Sequence, residues 1–242
     1  MTQACAVVPT LNEVAVAPGT VARLGELDCL DGILVVDDSP DGATAAAVER
    51  GVDHDHVGTI VRDNGADLSG AVVRGIESVS ADHIIVMDGD GQHPVNAVPE
   101  LLGVLEDGAD VVVGSRNATG GEVVTDWATH RRILSEGARQ LSQLAVPLAR
   151  RLSDPMSGMF AVDASLVEPE ALRPIGYKIL LEILGRCPIS QVREVPIEFG
   201  ARAAGSSNLG LREQWQFIRH LGRLTIPARQ PNVRVQEVPV DE

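Results

Sequence analysis

Lysine is nearly missing from this chain: Lys178 stands alone beside 19 arginines, while Asp and Glu number 34. The net charge of −14 excludes general affinity for nucleic acid, whose phosphates it would repel. Cysteine is scarce too. Cys5, Cys29 and Cys187 lie far apart without a ligand or disulfide pattern, which suits small buried hydrophobes in a cytoplasmic protein. No apolar run reaches the roughly 18 residues of a membrane-spanning helix. Met1-Thr2-Gln3-Ala4 has neither the basic nor the apolar region of a signal peptide. No Gly-x-Gly-x-x-Gly follows the first strand pattern, and Gly-Lys-Ser/Thr does not occur. Those absences exclude the dinucleotide fingerprint and the NTPase phosphate loop.

What is present alternates. Continuous apolar runs at Ala4–Val8, Ile33–Val36, Val57–Val61, Ile84–Met87 and Val111–Gly114 read as strands. Helical patterns lie between them at Val14–Leu24, Ala43–Arg50, Leu68–Val79 and Asn96–Glu106. That order predicts an α/β domain built of βαβ units on a mostly parallel central sheet, over residues 1–226. Beyond Arg116 the spacing predicts a long amphipathic helix over Trp127–Leu152, strands at Met159–Val162 and Gln191–Phe199, and a C-terminal amphipathic helix over Leu211–Ile226. Residues 227–242, with Pro, Gln and charges, read as a poorly ordered tail. Charge is divided unevenly. Residues 1–115 hold 20 acidic and 4 basic side chains, and residues 116–242 hold 14 and 16, so an anionic partner would find its arginines in the second half. Many carboxylates with almost no lysine is also the composition of proteins from salt-loving archaea, where a carboxylate surface stays hydrated.

The run Ile84-Ile85-Val86-Met87-Asp88-Gly89-Asp90-Gly91-Gln92-His93-Pro94 carries the chemistry. A buried strand ends in two carboxylates one residue apart, where ligands of open α/β sheets gather. Such carboxylates repel unless a cation shields them, and a hard divalent ion bound through few protein oxygens plus phosphate satisfies that need. Asp88, Asp90 and Gln92 are therefore candidate ligands of Mg²⁺ or Mn²⁺ beside a diphosphate. An EF-hand reading fails because Pro99 stands where the loop's final Glu belongs. Haloacid-dehalogenase-type phosphatases also end a strand in Asp-x-Asp-Gly, but near the N-terminus and followed by Thr or Ser; here Gln92 follows, a third of the way along.

Several segments together resemble family-2 glycosyltransferases of the GT-A fold, and within them the dolichol-phosphate mannosyltransferase group. These are Val7-Val8-Pro9-Thr10-Leu11-Asn12-Glu13, Val35-Val36-Asp37-Asp38-Ser39-Pro40-Asp41-Gly42, the Asp88 run, and Val113-Gly114-Ser115-Arg116. Ser153-Asp154-Pro155-Met156-Ser157-Gly158, Gly176-Tyr177-Lys178-Ile179-Leu180-Leu181-Glu182, Glu194-Val195-Pro196-Ile197 and Arg202-Ala203-Ala204-Gly205-Ser206-Ser207-Asn208 complete the set. The resemblance spans residues 4–226. It implies transfer of a hexose, mannose from GDP-mannose foremost, to dolichyl or polyprenyl phosphate. It also implies roles by position. Pro9, Glu13, Val36 and Asp38 hold base and ribose; Asp88, Gly89, Asp90, Gln92 and Met156 surround the donor diphosphate and metal. Arg116, Arg131 and Ser135 bind the acceptor phosphate, and Lys178 and Arg202 neutralise the donor. Arginine suits these places because guanidinium binds phosphate bidentately.

Leu11 stands where the family usually has Tyr, and Asn208 where it has Lys, so one base contact and one phosphate contact are lost. A UDP-sugar enzyme acting on the same lipid and a non-catalytic subunit that binds nucleotide sugar are the alternatives. A lipid phosphate is already mostly anionic near neutral pH, so it needs no general base, and a single inverting displacement is expected. His93, beside Pro94, reads as a helix-entry residue. The implied acceptor lives in a bilayer. Peripheral attachment at the cytoplasmic face is therefore expected, through the arginine-bearing helices with Trp215 and Phe217 or through a separate membrane-anchoring partner.

Overall fold

The computed structural model describes residues 2–63, 67–124, 129–201, 211–225 and 234–237, with backbone alone at 129–134, 211–213 and 234–237. Short β-branched runs form the strands β1 (Ala4–Thr10), β2 (Gly32–Asp37), β3 (Val57–Val61), β4 (His83–Met87) and β5 (Val111–Ser115). Helices α1 (Ala17–Gly25), α2 (Ala43–Gly51), α3 (Leu68–Ser78) and α4 (Val98–Glu106) alternate with them. Strands β7 (Met159–Asp163), β8 (Gln191–Pro196) and β10 (Arg234–Glu237) complete an eight-stranded sheet of order β10-β8-β5-β7-β4-β1-β2-β3. All neighbours are parallel except β7, which runs antiparallel to β4 and β5.

Side chains alternate across the strands with period two. Val7, Val36, Ile84, Val86, Val113 and Phe160 face a layer of α3, α6 (Ile179–Arg186) and α7 (Leu211–Leu224). Ala6, Val8, Val35, Ile85, Met87 and Val112 face α1, α2 and α4. Both faces are covered, which is why the strands read as continuous apolar runs.

The structure differs from the sequence expectations at four places. The first helix begins at Ala17, with Pro18 in its first turn, rather than at Val14; proline's fixed φ suits a helix start and not its interior. The expected long helix is α5 (Thr129–Ala145) followed by a separate 3₁₀ turn at Leu148–Arg151. Pro147 breaks it, by disfavouring helical backbone at Val146 and removing an N–H. Residues 191–199 divide at Pro196: β8 stays in the main sheet, while β9 (Glu198–Phe199) pairs with β6 (Glu122–Val123) in a small second sheet. Within the expected tail, Arg234–Glu237 add a strand beside β8; the flanking residues 226–233 and 238–242 lie outside the described set.

Candidate active site

The carboxyl ends of β1, β2, β4 and β5 share one edge of the sheet. Because β7 runs the other way, the turn preceding it reaches the same edge, with Met159 paired to Met87. Close approach of the β1 and β4 ends depends on Gly89, whose N–H donates to the Pro9 carbonyl at 3.3 Å. A Cβ there would lie 2.6 Å from Thr10 Cγ2.

On the β1–β2 side, buried Asp37 is a scaffold. Its carboxylate accepts from the N–H groups of Ser39 and Ala45, both at 2.9 Å, and from the Ser39 hydroxyl at 2.5 Å. Ser39 Oγ in turn accepts from the Asn12 N–H, and Thr44 Oγ1 from the Glu13 N–H. This fastens the loop carrying Glu13 to the end of β2, where Val36 is fully buried. Asp38 accepts at both oxygens from Arg62 Nη1 at 2.8 Å and from the Asp67 N–H at 2.7 Å. Burial pushes its carboxyl pKa up, against the pull of the Asp67 N–H and the Arg62 charge.

At the β4 end Asp88 is part-exposed and Asp90 buried. Asp90 Oδ1 accepts the Gln92 N–H at 3.1 Å. Gln92 bonds twice to Gly200: its side-chain amide donates to the Gly200 carbonyl at 3.0 Å, and its backbone carbonyl accepts from the Gly200 N–H at 2.8 Å. Gly158 is pressed on this site: a Cβ there would lie 2.1 Å from Asp88 Oδ2. His93 does precede the α4 segment, yet its buried ring also belongs to the site, with Nε2 3.7 Å from Asp88 Oδ2 and the ring in a T-shaped contact with Phe199, centroids 5.0 Å apart.

Beside these carboxylates stands a cationic pair. Arg116 donates to Asp154 through Nε at 2.6 Å and Nη2 at 2.8 Å, and its backbone N–H reaches the same carboxylate at 3.2 Å. The guanidinium lies over the Phe199 ring, 5.0 Å from its centroid. Buried Glu194 accepts from the Asp154 N–H at 3.0 Å and the Ser153 hydroxyl at 2.9 Å, so Asp154 is itself held. Burial alone would raise the Asp154 pKa, but the Arg116 bonds and charge bring it below the ordinary value. Lys178 donates to the Met156 carbonyl at 2.7 Å. Burial, then the Arg116 charge, lowers its ammonium to a pKa of about 8 against the opposing pull of Asp88 and Asp154.

The structure thus brings Pro9, Gly89, Asp88, Asp90, Gln92, Arg116, Met156 and Lys178 to one edge, with Glu13, Val36 and Asp38 on the neighbouring strand ends. Ser135 is part-exposed on α5; the Arg131 side chain, four residues earlier, and all of Arg202 lie outside the described residues. Asp154, Glu194, Phe199 and Arg62 hold the candidate site residues in place, a part that sequence reasoning did not assign to them, although Asp154 and Glu194 both lie in the motifs that carry the family resemblance. Among the described residues no three His, Cys, Asp or Glu side chains converge on a point. Two carboxylates and one amide fit a hard ion that draws its remaining oxygens from diphosphate and water, as Mg²⁺ commonly does.

A mostly parallel sheet with one reversed strand, and an Asp-Gly-Asp at its carboxyl edge, defines a GT-A-type nucleotide-diphosphosugar transferase fold. The glucosyl-3-phosphoglycerate synthase of Mycobacterium tuberculosis, solved with Mn²⁺, UDP and glucosyl-3-phosphoglycerate, superposes with a TM-score of 0.66 at 21% identity, over 92% of this chain and 78% of that one. The chain belongs to glycosyl transferase family 2, whose model matches residues 5–168. It is 38% identical over 223 residues to the dolichol-phosphate mannosyltransferase of Pyrococcus furiosus, covering 90% of this chain and 62% of that protein. To the dolichol-phosphate mannosyltransferase of Saccharomyces cerevisiae it is 34% identical over 202 residues, 80% of this chain and 74% of that one. This chain therefore spans about three fifths of the Pyrococcus relative.

Proposed function

We propose that this chain transfers a mannosyl group from GDP-mannose to dolichyl or another polyprenyl phosphate, with inversion at the anomeric carbon. One observation carries the reading: Asp88 and Asp90 stand beside two part-buried, immobilised cations, Arg116 and Lys178. That pairing suits a reaction in which both substrates bring phosphate. The Pyrococcus and Saccharomyces relatives, each named dolichol-phosphate mannosyltransferase, support the choice of sugar and acceptor.

Each residue has a task on this reading. Asp38, held by Arg62, accepts from the N–H edge of the base, and Glu13 and Val36 border the ribose. Lys178 meets the departing diphosphate, together with Arg202. Arg116, clamped by Asp154 and stacked on Phe199, holds the acceptor phosphate, a task it shares with Arg131 and Ser135. Fixed charges aimed at developing negative charge need no reorganisation during reaction. A bound Mg²⁺ or Mn²⁺ ion supplies a Lewis acid for the diphosphate, and Asp88, Asp90 and Gln92 are the residues that would hold it. The acceptor attacks as an anion, so His93 orients Asp88 rather than moving a proton.

The reading extends to a lipid surface at the cytoplasmic face, reached directly or through a membrane-anchoring partner. Among the described residues no helix is long and apolar enough to cross a membrane. Trp215 and Ile218 on α7, with Leu141 and Leu144 on α5, are exposed large apolar side chains on two helices in contact. Phe217, in contrast, is buried in the core and is not available to lipid.

Purified protein, dolichyl phosphate and Mg²⁺ or Mn²⁺, tested against GDP- and UDP-sugars, decide the matter. GDP-mannose is expected to be the preferred donor. Preference for UDP-glucose would replace the donor assignment, and nucleotide-sugar binding without turnover would make the chain a regulatory subunit.

A further inference from the structure

Behind the site lies a buried polar cluster with no part in the chemistry above. Glu182 on α6 and His220 on α7 are each only 1% exposed. Glu182 Oε1 accepts from the Arg173 N–H and from Arg186 Nε, both at 2.8 Å. His220 Nδ1 accepts the Ile175 N–H at 2.8 Å. An accepting Nδ1 is unprotonated, so the neutral ring carries its proton on Nε2, which lies 3.4 Å from Glu182 Oε2. Burial lowers the imidazole pKa, opposed by Glu182 and reinforced by Arg186 and Arg223, in keeping with that neutral form.

Two of these bonds, from the Arg173 and Ile175 N–H groups, start on one short segment. Residues 173–178 contain no helix or strand, and they turn at Gly176, whose φ of +86° favours glycine. The backbone is held at Arg173 by Glu182, at Ile175 by His220, and at the Gly176 carbonyl by the Ser69 N–H at 3.0 Å. Its last residue is Lys178. An irregular segment has no internal ladder to fix its shape, so these anchors decide where the ammonium stands. His220 Nε2 makes no hydrogen bond among the described residues and meets Glu182 only as a 3.4 Å charge contact, so the ring's one hydrogen bond, from the Ile175 N–H, is the link that holds this segment.

We propose that His220, oriented by Glu182, is a positioning residue for the donor site: it ties helix α7 to the 173–178 backbone and thereby sets the place of Lys178 against a nucleoside diphosphate. This rests on the reading of Lys178 as a donor-phosphate cation. The test is calorimetric binding of GDP with Mg²⁺ to four chains: wild type, His220→Leu, Lys178→Met and the double variant. Lys178→Met is expected to weaken GDP roughly tenfold or more, as loss of a charge-assisted contact does. His220→Leu should weaken it by about the same order without changing the KM for lipid phosphate. The double variant should bind no worse than Lys178→Met alone, and His220→Gln, which keeps an acceptor, should recover most of the affinity.

If the two losses multiply in the double variant, His220 does not act through Lys178 and the inference falls while the donor-site reading stands. If Lys178→Met leaves GDP affinity unchanged, both fall together. Should His220→Leu fail to fold, the wild-type chain still decides. GDP should slow hydrogen exchange at the Ile175 amide, and unchanged exchange there would overturn the link.

Discussion

Replacing Asp154 by Asn changes one charge and almost no volume, so it isolates what the Arg116 clamp contributes. Asp154 is 2% exposed and gives both carboxylate oxygens to Arg116, whose side chain is 13% exposed. An amide can accept at one oxygen only, and its NH₂ would face a guanidinium N–H. Removing one partner of a buried pair costs about 3–5 kcal/mol, because the other charge stays buried. Asn retains one acceptor and Arg116 keeps a little water, so we expect the lower end, about 3 kcal/mol. For a chain of this size that lowers Tm by roughly 6–12 °C.

The sign against pH follows from the depressed Asp154 pKa. Its contribution is complete above the ordinary value of 3.8 and is lost as pH falls through the lower folded value. The wild-type and Asp154→Asn chains should therefore converge in stability toward strongly acid pH. In catalysis, a loosened Arg116 should raise the KM for lipid phosphate while leaving that for GDP-mannose nearly unchanged. Differential scanning calorimetry and steady-state kinetics read both effects. A variant as stable as wild type, or equal changes in both KM values, would refute the clamp. Replacing both partners by apolar residues should restore part of the stability and none of the activity.

Gly158→Ala should lower turnover roughly a hundredfold with the circular dichroism spectrum unchanged, because its Cβ would displace the Asp88 carboxylate and misplacement by about 1 Å costs about that much. The affinity for GDP should fall as pH rises past about 8, where Lys178 loses its proton, and Lys178→Met should flatten that profile in calorimetry. Between about 8 and the ordinary 10.5 the unfolded chain binds the proton that the folded chain has released. This group's contribution to stability should therefore rise with pH across that window. Trp215→Glu should weaken sedimentation with anionic vesicles while leaving turnover of a water-soluble short-chain acceptor intact; unchanged sedimentation would remove α7 from the lipid-facing surface.

Much of this was legible in the sequence because the central strands are buried on both faces and therefore spelled as unbroken apolar runs. The direction of β7 was not. Met159–Val162 reads the same forwards or backwards, and only pairing with β4 and β5 sets it antiparallel. The helix break at Pro147 and the strand division at Pro196 were marked by prolines that amphipathic spacing on either side concealed. In the site, Asp88, Asp90, Gln92, Arg116 and Lys178 stood in contiguous motifs. Their partners are remote in the chain: Asp154 lies 38 residues from Arg116, and Gly200 lies 108 from Gln92. Arg62 sits at the end of an edge strand, in a context that carries no sign of Asp38. Such pairings arise from topology, and topology is written only weakly in local pattern.

The central claim, a single displacement at the anomeric carbon by a lipid phosphate, is tested most directly by the product. Purified protein, GDP-mannose, dolichyl phosphate and Mg²⁺ should yield mannosyl-phospho-dolichol in equal amount to GDP, with the β anomeric configuration in the NMR spectrum. Free mannose, an α-linked lipid product, or GDP released without any mannolipid would contradict it.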